Sequence, residues 1–275
     1  MREEPLQFGD DRRLFGILTL AGESENNMLN PPVFVFLNAG ALPRAGPHRL
    51  HVRLARELAS MGISSLRVDL SGRGDSLPRS EPTYQESIAA GFESILGVLE
   101  SQLGSVSVVL VGLCSGADDA IKLTATSTDR RVVGMVLLDP VCDKDDGFRA
   151  RALVRKLSMP SKYLPWLMRR IGAVTQSSSD TEDQVDSMLL RDPPSLEQTR
   201  SAFESIRERD GRVLSVFTQY ALQYYNQIGQ MDRVLNVDGY EQFCTELFWP
   251  HVEHTYPFDL HRRRLIEEIK TWAVK

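Results

Sequence analysis

The sequence predicts an α/β fold: a mostly parallel sheet flanked by helices, with a helical cap inserted after the sixth strand. Apolar runs rich in β-branched residues alternate with amphipathic segments, an order typical of parallel sheets covered by helices on both faces. The alternation stops after residue 142 and resumes at residue 212. A chain of 275 residues, 42% hydrophobic and 25% charged, is long enough for such a core and an insertion. We therefore expect a core of residues 1–142 and 212–275, and a cap of residues 143–211.

The first half of the chain begins with a predicted hairpin, because the short strands Leu6–Phe8 and Leu14–Leu20 flank a turn at Gly9. Further along, apolar runs predict buried strands and apolar residues at helical spacing predict amphipathic helices. These elements are a strand at Val33–Leu37, a helix from about Pro47 to Met61, a strand at Ser64–Leu70, a helix at Tyr84–Leu103 and a strand at Val132–Leu138.

The second half contains no apolar run typical of a buried strand between residues 143 and 211. Short helices are predicted there around the polar stretch Thr175–Asp183, namely Ala150–Leu157, Leu164–Ile171, Val185–Leu190 and Ser195–Glu208. The α/β pattern then resumes with a strand at Val213–Phe217, a helix at Tyr225–Leu235, a strand at Glu246–Trp249 and a closing helix at Leu260–Ala273.

The stretch from Val106 to Ala117 runs from a buried strand through Gly112-Leu113-Cys114-Ser115-Gly116 into a helix. This order is typical of a nucleophile elbow, a turn so sharp that small residues are needed two places either side of the nucleophile. Gly112 and Gly116 meet that need if Cys114 is the nucleophile. Choosing Ser115 would put larger residues at the crowded positions. A glycine-flanked cysteine in an ordinary strand-to-helix turn would have the same sequence. The other motifs of the chain are therefore needed to choose between the two interpretations.

Three further landmarks accompany the elbow. Asn38-Ala39-Gly40-Ala41 follows the third strand, Asp69-x-x-Gly72-x-Gly74-x-Ser76 follows the fourth, and Pro250-His251-Val252-Glu253-His254-Thr255-Tyr256 precedes the last helix. In this order, the landmarks resemble those of the α/β-hydrolase superfamily, and the resemblance covers the whole chain except the insertion. It implies a nucleophile at the elbow, an oxyanion loop after the third strand and a catalytic histidine before the last helix.

The resemblance assigns roles to individual residues. Cys114 is the expected nucleophile and His254 the expected base, since the superfamily places its histidine directly before the last helix; His251 is the alternative. The backbone N–H groups of Ala41 and Ser115 are expected to form the oxyanion hole. The reactive form of cysteine is the thiolate, which a helix N-terminus and a nearby imidazole both favour.

The acid departs from the superfamily pattern. It usually follows the strand before that of the histidine, but residues 217–222 contain no carboxylate. Three alternatives stay open. Asp139, at the end of Val132–Leu138, could serve as the acid, with Asp143 behind it; the site could work as a Cys–His dyad; or it could be inactive. A strand-end aspartate such as Asp139 also commonly caps backbone groups.

These residues predict an acyl hydrolase of the esterase or thioesterase type, working through an acyl-thioester on Cys114. A thioester passes its acyl group to an amine, alcohol or thiol more easily than an ester does. An acyltransferase or cyclase in a biosynthetic pathway is therefore the second hypothesis. A non-catalytic binding protein of the same fold is the third, because the usual acid is missing.

Two basic features bear on the substrate. His48 and Arg49, beside the expected oxyanion loop, are candidate contacts for a carboxylate or phosphate, although a role in starting the helix is equally compatible. The first part of the cap is basic, with no acidic residue from 148 to 170, and could receive an acyl group carried on CoA or an acyl carrier protein, or a membrane surface. A cap with an ordinary solvated face fits the same pattern. Its basic residues are Arg149, Arg151, Arg155, Lys156, Lys162, Arg169 and Arg170.

Other classes of protein are disfavoured. A net charge of −5 argues against nucleic acid as the partner. Three irregularly spaced cysteines form neither a disulfide framework nor a zinc pattern, and no HExxH motif surrounds His251, so we expect no metal and no cofactor. The first ten residues lack the apolar segment of a signal peptide, and no apolar run could span a membrane, which predicts a cytoplasmic protein. A homodimer stays an open alternative.

Overall fold

The computed structural model describes residues 1–22, 30–78, 80–158 and 192–274. The strands of the described chain are β1 (Arg2–Phe8), β2 (Leu14–Leu20), β3 (Val33–Phe36), β4 (Ser65–Asp69), β5 (Val108–Leu113), β6 (Val132–Leu138), β7 (Arg212–Thr218) and β8 (Cys244–Trp249). They form one sheet in the order β1-β2-β4-β3-β5-β6-β7-β8. The antiparallel pairs are β1 with β2 and β2 with β4, and all other neighbouring strands run parallel. The predicted mostly parallel sheet is confirmed.

Helices connect these strands and cover both faces of the sheet. They are α1 (Leu50–Ser60), α2 (Tyr84–Leu103), α3 (Ser115–Thr126), α4 (Phe148–Ser158), α5 (Leu196–Glu208), α6 (Gln230–Leu235), α7 (Tyr240–Phe243) and α8 (Asp259–Ala273). The bounds of α2 and β6 coincide with the predicted ones. In α2, Thr83 caps the first turn by accepting a hydrogen bond from the backbone of Glu86, whose side chain accepts one from Thr83 in return.

The alternation of side chains in the central strands builds two hydrophobic cores. In β5, Val108 and Leu110 point into the core beneath α2, α3 and α5, whereas Val109 and Val111 point into the core beneath α1 and α8. Both sets are buried, which explains why this strand is a continuous apolar run rather than an alternating one. In parallel sheets of this kind, the turns at the carboxyl ends of the strands are where a binding or catalytic site usually lies.

Several predicted boundaries shift. The chain enters α1 through a 3₁₀ turn at Pro47–Arg49, so the helix begins at Leu50 rather than at Pro47. The helix predicted at Tyr225–Leu235 is wrong in its first half. Gly229, in the left-handed conformation with φ 79°, marks the start of the short helix α6. A residue in this conformation interrupts a helix, so the segment before Gly229 is not helical although its apolar spacing predicts a helix.

The predicted cap is described only in part. Its first helix is present as α4, whereas the helices predicted at Leu164–Ile171 and Val185–Leu190 and the polar stretch Thr175–Asp183 lie outside the described residues. The last predicted cap helix is α5, and its side chains Ala202, Phe203 and Ile206 are fully buried in the core beneath the sheet. The core therefore includes side chains of α5, and the division into a core of residues 1–142 and 212–275 and a cap of residues 143–211 stays a prediction. A cap between β6 and α5 stays a prediction.

Candidate active site

Cys114 lies at the tip of the turn between β5 and α3. Its backbone has φ 58° and ψ −121°, a conformation that a residue with a side chain rarely adopts and that nucleophile elbows impose. A Cβ on Gly112 would lie 2.1 Å from the backbone of Gly116, and a Cβ on Gly116 would lie 2.5 Å from the carbonyl oxygen of Asn38. Both glycines are thus sterically required, as the sequence predicts for a turn centred on Cys114.

A substitution tests this geometry. Gly112→Ala is expected to lower the free energy of unfolding by about 3 kcal/mol, because the added methyl group meets backbone that cannot move away. Gly97→Ala is the matched control: Gly97 is on α2 with open space around its Cα, and alanine there should stabilise the protein by about 0.5 kcal/mol. Urea denaturation of both variants measures the difference. Equal stability of the two variants would contradict the elbow.

His254 interacts with both Cys114 and Asp139. It follows β8, and its Nδ1 lies 2.6 Å from Oδ2 of Asp139. The imidazole also forms a side-chain hydrogen bond with Cys114. His251, the alternative base, is exposed to solvent. Cys114, His254 and Asp139 thus form a connected chain of hydrogen bonds, although they lie far apart in sequence.

Asp139 is fully buried at the end of β6, one strand earlier than the superfamily usually places its acid. Its Oδ1 accepts a hydrogen bond from the backbone N–H of Thr218 at 2.6 Å, and its Oδ2 accepts one from the Thr218 hydroxyl at 2.6 Å. Thr218 ends β7, so the end of this strand orients the Asp139 carboxylate. Asp143, by contrast, is exposed on the following loop.

The contacts of His254 change its protonation. Burial lowers the pKa of the imidazole, but the hydrogen bonds to Asp139 and to Cys114 outweigh it and raise the pKa from its ordinary 6.5 to about 9. Near neutral pH the ring therefore carries a proton on each nitrogen. A protonated imidazole beside a thiol stabilises the thiolate, which is the nucleophilic form.

An aromatic ring holds the imidazole in place. The ring of Tyr220 stacks on that of His254 with centroids 4.2 Å apart and planes inclined by 23°. Both rings line an open cavity of about 750 Å³, which α4 covers from the other side with Phe148 and Ala152. Sequence analysis did not identify Tyr220 or Thr218. The only signal was their position at and just after the end of β7, where the resemblance leads one to look for the acid.

The loop after β3 approaches the elbow through Gly40. The Gly40 N–H donates a hydrogen bond of 2.9 Å to Oγ of Ser115, the first residue of α3. Ala41, the expected donor, is the next residue and is exposed. The backbone N–H of Ser115 belongs to the first turn of α3, where N–H groups have no acceptor within the helix. Ala41 and Ser115 stay predictions for the oxyanion hole, and Gly40 is a further candidate.

A buried carboxylate fixes this loop. Asp69, at the end of β4, is fully buried and its Oδ1 accepts hydrogen bonds from Nδ2 of Asn38 at 3.0 Å and from the backbone N–H of Arg44 at 2.6 Å. A Cβ on Gly74, where φ is +51°, would lie 2.1 Å from the same carboxylate. Gly74 is therefore required, because the backbone there lies against the Asp69 carboxylate. Asp69 in turn positions the loop that carries Gly40.

The remaining candidates lie apart from this cluster. His48 and Arg49 are exposed in the turn before α1, and neither forms a hydrogen bond or ion pair with the site residues that the structure describes. Cys142 and Cys244, like Cys114, form no disulfide in the structure. The described residues contain no group of three or more potential metal ligands. None of the helices in this part of the chain has the length and apolar character needed to cross a bilayer.

Comparison with known proteins agrees with this architecture. A scan against protein-family models and a search of curated proteins found no match. Among solved structures, an esterase from Pyrococcus furiosus aligns with a TM-score of 0.59 at 12% identity, over 98% of this chain and 91% of that one. An α/β hydrolase from Penicillium sp. sh18 gives 0.56 at 14% identity, over 100% and 98%. A thermophilic esterase from Thermogutta terrifontis gives 0.54 at 17% identity, over 99% and 98%. The chain has the α/β-hydrolase fold.

Proposed function

We propose that the protein is a cysteine-dependent acyl hydrolase that acts on esters or thioesters. One observation carries the proposal: His254 lies 2.6 Å from Asp139 and is also hydrogen-bonded to Cys114, at the tip of a strained elbow. A nucleophile, a base and an orienting acid in this arrangement are the requirements for nucleophilic acyl transfer. The similarity to esterases supports the same class of reaction through the fold.

The first step forms an acyl-enzyme. The Cys114 thiolate attacks the acyl carbon, a carbon–sulfur bond forms, and the bond from that carbon to the leaving oxygen or sulfur breaks. The leaving group takes a proton from the ring nitrogen of His254 that does not face Asp139. Asp139 accepts the hydrogen bond from Nδ1 throughout, which keeps the ring oriented and stabilises its positive charge.

The second step is hydrolysis of the acyl-thioester. His254, now neutral, takes a proton from a water molecule, whose oxygen attacks the acyl carbon and releases the acid, returning Cys114 to the thiolate. In both steps the negative charge that develops on the acyl oxygen is stabilised by backbone N–H groups, for which Ser115, Ala41 and Gly40 are the candidates. When the Gly40 N–H takes part, it exchanges the Ser115 hydroxyl for the substrate oxygen.

Intact-protein mass spectrometry tests the proposal. We expect that mixing the protein with 4-nitrophenyl hexanoate releases nitrophenolate and adds one hexanoyl group, which peptide mapping locates on Cys114. Hydroxylamine should remove this group, because thioesters react readily with it. Absence of both turnover and an adduct would contradict the proposal.

Acyl transfer is the second candidate, since a thioester also reacts with amines and thiols. It extends to carriers: an acyl group held on CoA or on an acyl carrier protein would bring phosphates toward the basic helix α4. Product analysis in the presence of added amine or thiol separates the two reactions, because water as the sole acceptor argues for hydrolysis. The third hypothesis, a binding protein, rests on a missing acid, and the contact between Asp139 and His254 supports a catalytic site over it.

A further inference from the structure

The cavity beside His254 has a chemical character that the proposed reaction does not use. Besides His254 and Tyr220, its walls include Arg155 and Lys156 from α4 and Glu253 from the turn after β8. The balance is therefore two cations from the helix against one carboxylate, next to an imidazole that itself carries a positive charge near neutral pH. A volume of about 750 Å³ is large enough for a small organic ligand.

Arg155 is the more buried of the two cations. Its Nη1 is shielded from solvent and forms no hydrogen bond with any residue that the structure describes. A shielded guanidinium N–H without an acceptor is costly, so an acceptor on a ligand bound beside it would stabilise it. Lys156, the next residue, is exposed and forms no ion pair with any residue that the structure describes.

The neighbouring cations on α4 differ from this pair. Arg151 donates hydrogen bonds to Asn226 and forms an ion pair with Asp145, so its charge is already compensated within the protein. Glu253, the acidic residue of the cavity, is exposed and forms no ion pair with Arg155 or Lys156. Within the described part of the chain, neither Arg155 nor Lys156 has an ionic partner, so α4 contributes positive charge to the cavity that His254 also lines.

We infer that this cavity binds a carboxylate of the substrate, with Arg155 as its main partner and Lys156 as a second cation. The planar guanidinium group of arginine can donate two parallel hydrogen bonds to the two oxygens of a carboxylate. A neutral ester chain has no carboxylate to accept them. The inference rests on the proposed function in one respect: it places the carboxylate on the molecule whose acyl carbon reacts with Cys114. It makes the preferred substrate a half-ester or half-thioester of a dicarboxylic acid, or an ester of a hydroxy acid.

Paired substrates test which half of the molecule carries the charge. For the acyl half, 4-nitrophenyl hemiadipate is compared with 4-nitrophenyl hexanoate, which lacks the terminal carboxylate. For the leaving half, the hexanoyl ester of 4-hydroxybenzoate is compared with that of 4-hydroxybenzamide. We expect the charged member of one pair to have the higher kcat/KM. Arg155→Gln should reduce that preference about tenfold, mostly through KM, and Arg155→Lys should restore part of it.

Binding without turnover separates this inference from the proposed function. Adipate should slow the alkylation of Cys114 by iodoacetamide in the wild-type protein more than adipamide does, and Arg155→Gln should remove the difference. Arg149→Gln is the matched control, since it changes the same charge at an exposed position of α4 outside the cavity. Turnover of all four esters with no carboxylate preference and no protection by adipate would overturn the inference and leave the hydrolase intact. Protection by adipate that depends on Arg155, without any turnover, would support the cavity and contradict the hydrolase.

Discussion

Replacing Cys114 with alanine is expected to lower the turnover of 4-nitrophenyl hexanoate by roughly 10³-fold or more, because the proposed reaction then lacks the atom that accepts the acyl group. The fold should survive, since the side chain is small and only partly buried against the core beneath α1 and α8. Initial rates at saturating ester, together with the circular dichroism of the variant, measure the two effects separately.

Cys244→Ala is the control for this experiment. Cys244 is also a free thiol, but burial raises the pKa of its side chain, which makes it a poor nucleophile near neutral pH. Its replacement should leave both turnover and the acyl adduct unchanged. If Cys114→Ala retained wild-type activity, the nucleophile would lie elsewhere and the elbow would be a structural turn.

Replacing Asp139 with asparagine is expected to lower kcat by roughly 10²-fold, with little change in KM. The amide can still accept a hydrogen bond from the backbone of Thr218, but it offers His254 no negative charge, so the imidazolium is less stable. The loss should be smaller than in serine-based triads, because a thiol needs less help from its base than a hydroxyl does.

The pH profile gives a second measure of the same change. Since the pKa of His254 is raised from 6.5 to about 9, the charged imidazole is fully present below pH 6.5 and is lost as the pH rises through about 9. Both kcat/KM, which reports the first step from the free enzyme, and the stabilisation that His254 contributes should therefore fall on the alkaline side. In Asp139→Asn, this alkaline limb should move to lower pH, because one of the hydrogen bonds that raise the pKa is weakened.

Asp143→Asn provides the matched control, as it removes an exposed carboxylate four residues away from Asp139. It should change neither kcat nor the pH profile. A profile of Asp139→Asn that matched the wild type, with kcat unchanged, would assign the site to a Cys–His dyad and leave Asp139 as a structural residue.

The position of Asp139 shows which features can be predicted from neighbouring residues and which depend on the tertiary structure. The sequence has no carboxylate directly after β7, and Asp139 is one alternative because it ends a neighbouring strand. Which alternative applies depends on Thr218 and on the approach of His254 from the turn after β8. These residues are separated by tens to more than a hundred positions, and no pattern along the chain relates them.

The sequence by itself determined the parallel sheet and most of the element boundaries, and it predicts a sharp turn centred on Cys114. Each depends on neighbours in the chain: apolar periodicity, glycine spacing and the need for small residues in a sharp turn. Only the tertiary structure decided that α5 belongs to the core and that Gly40 faces the elbow. It likewise revealed that Arg155 and His254 line the same cavity. These facts depend on which surfaces meet when strands and helices pack, and packing joins residues whose separation in sequence carries no signal.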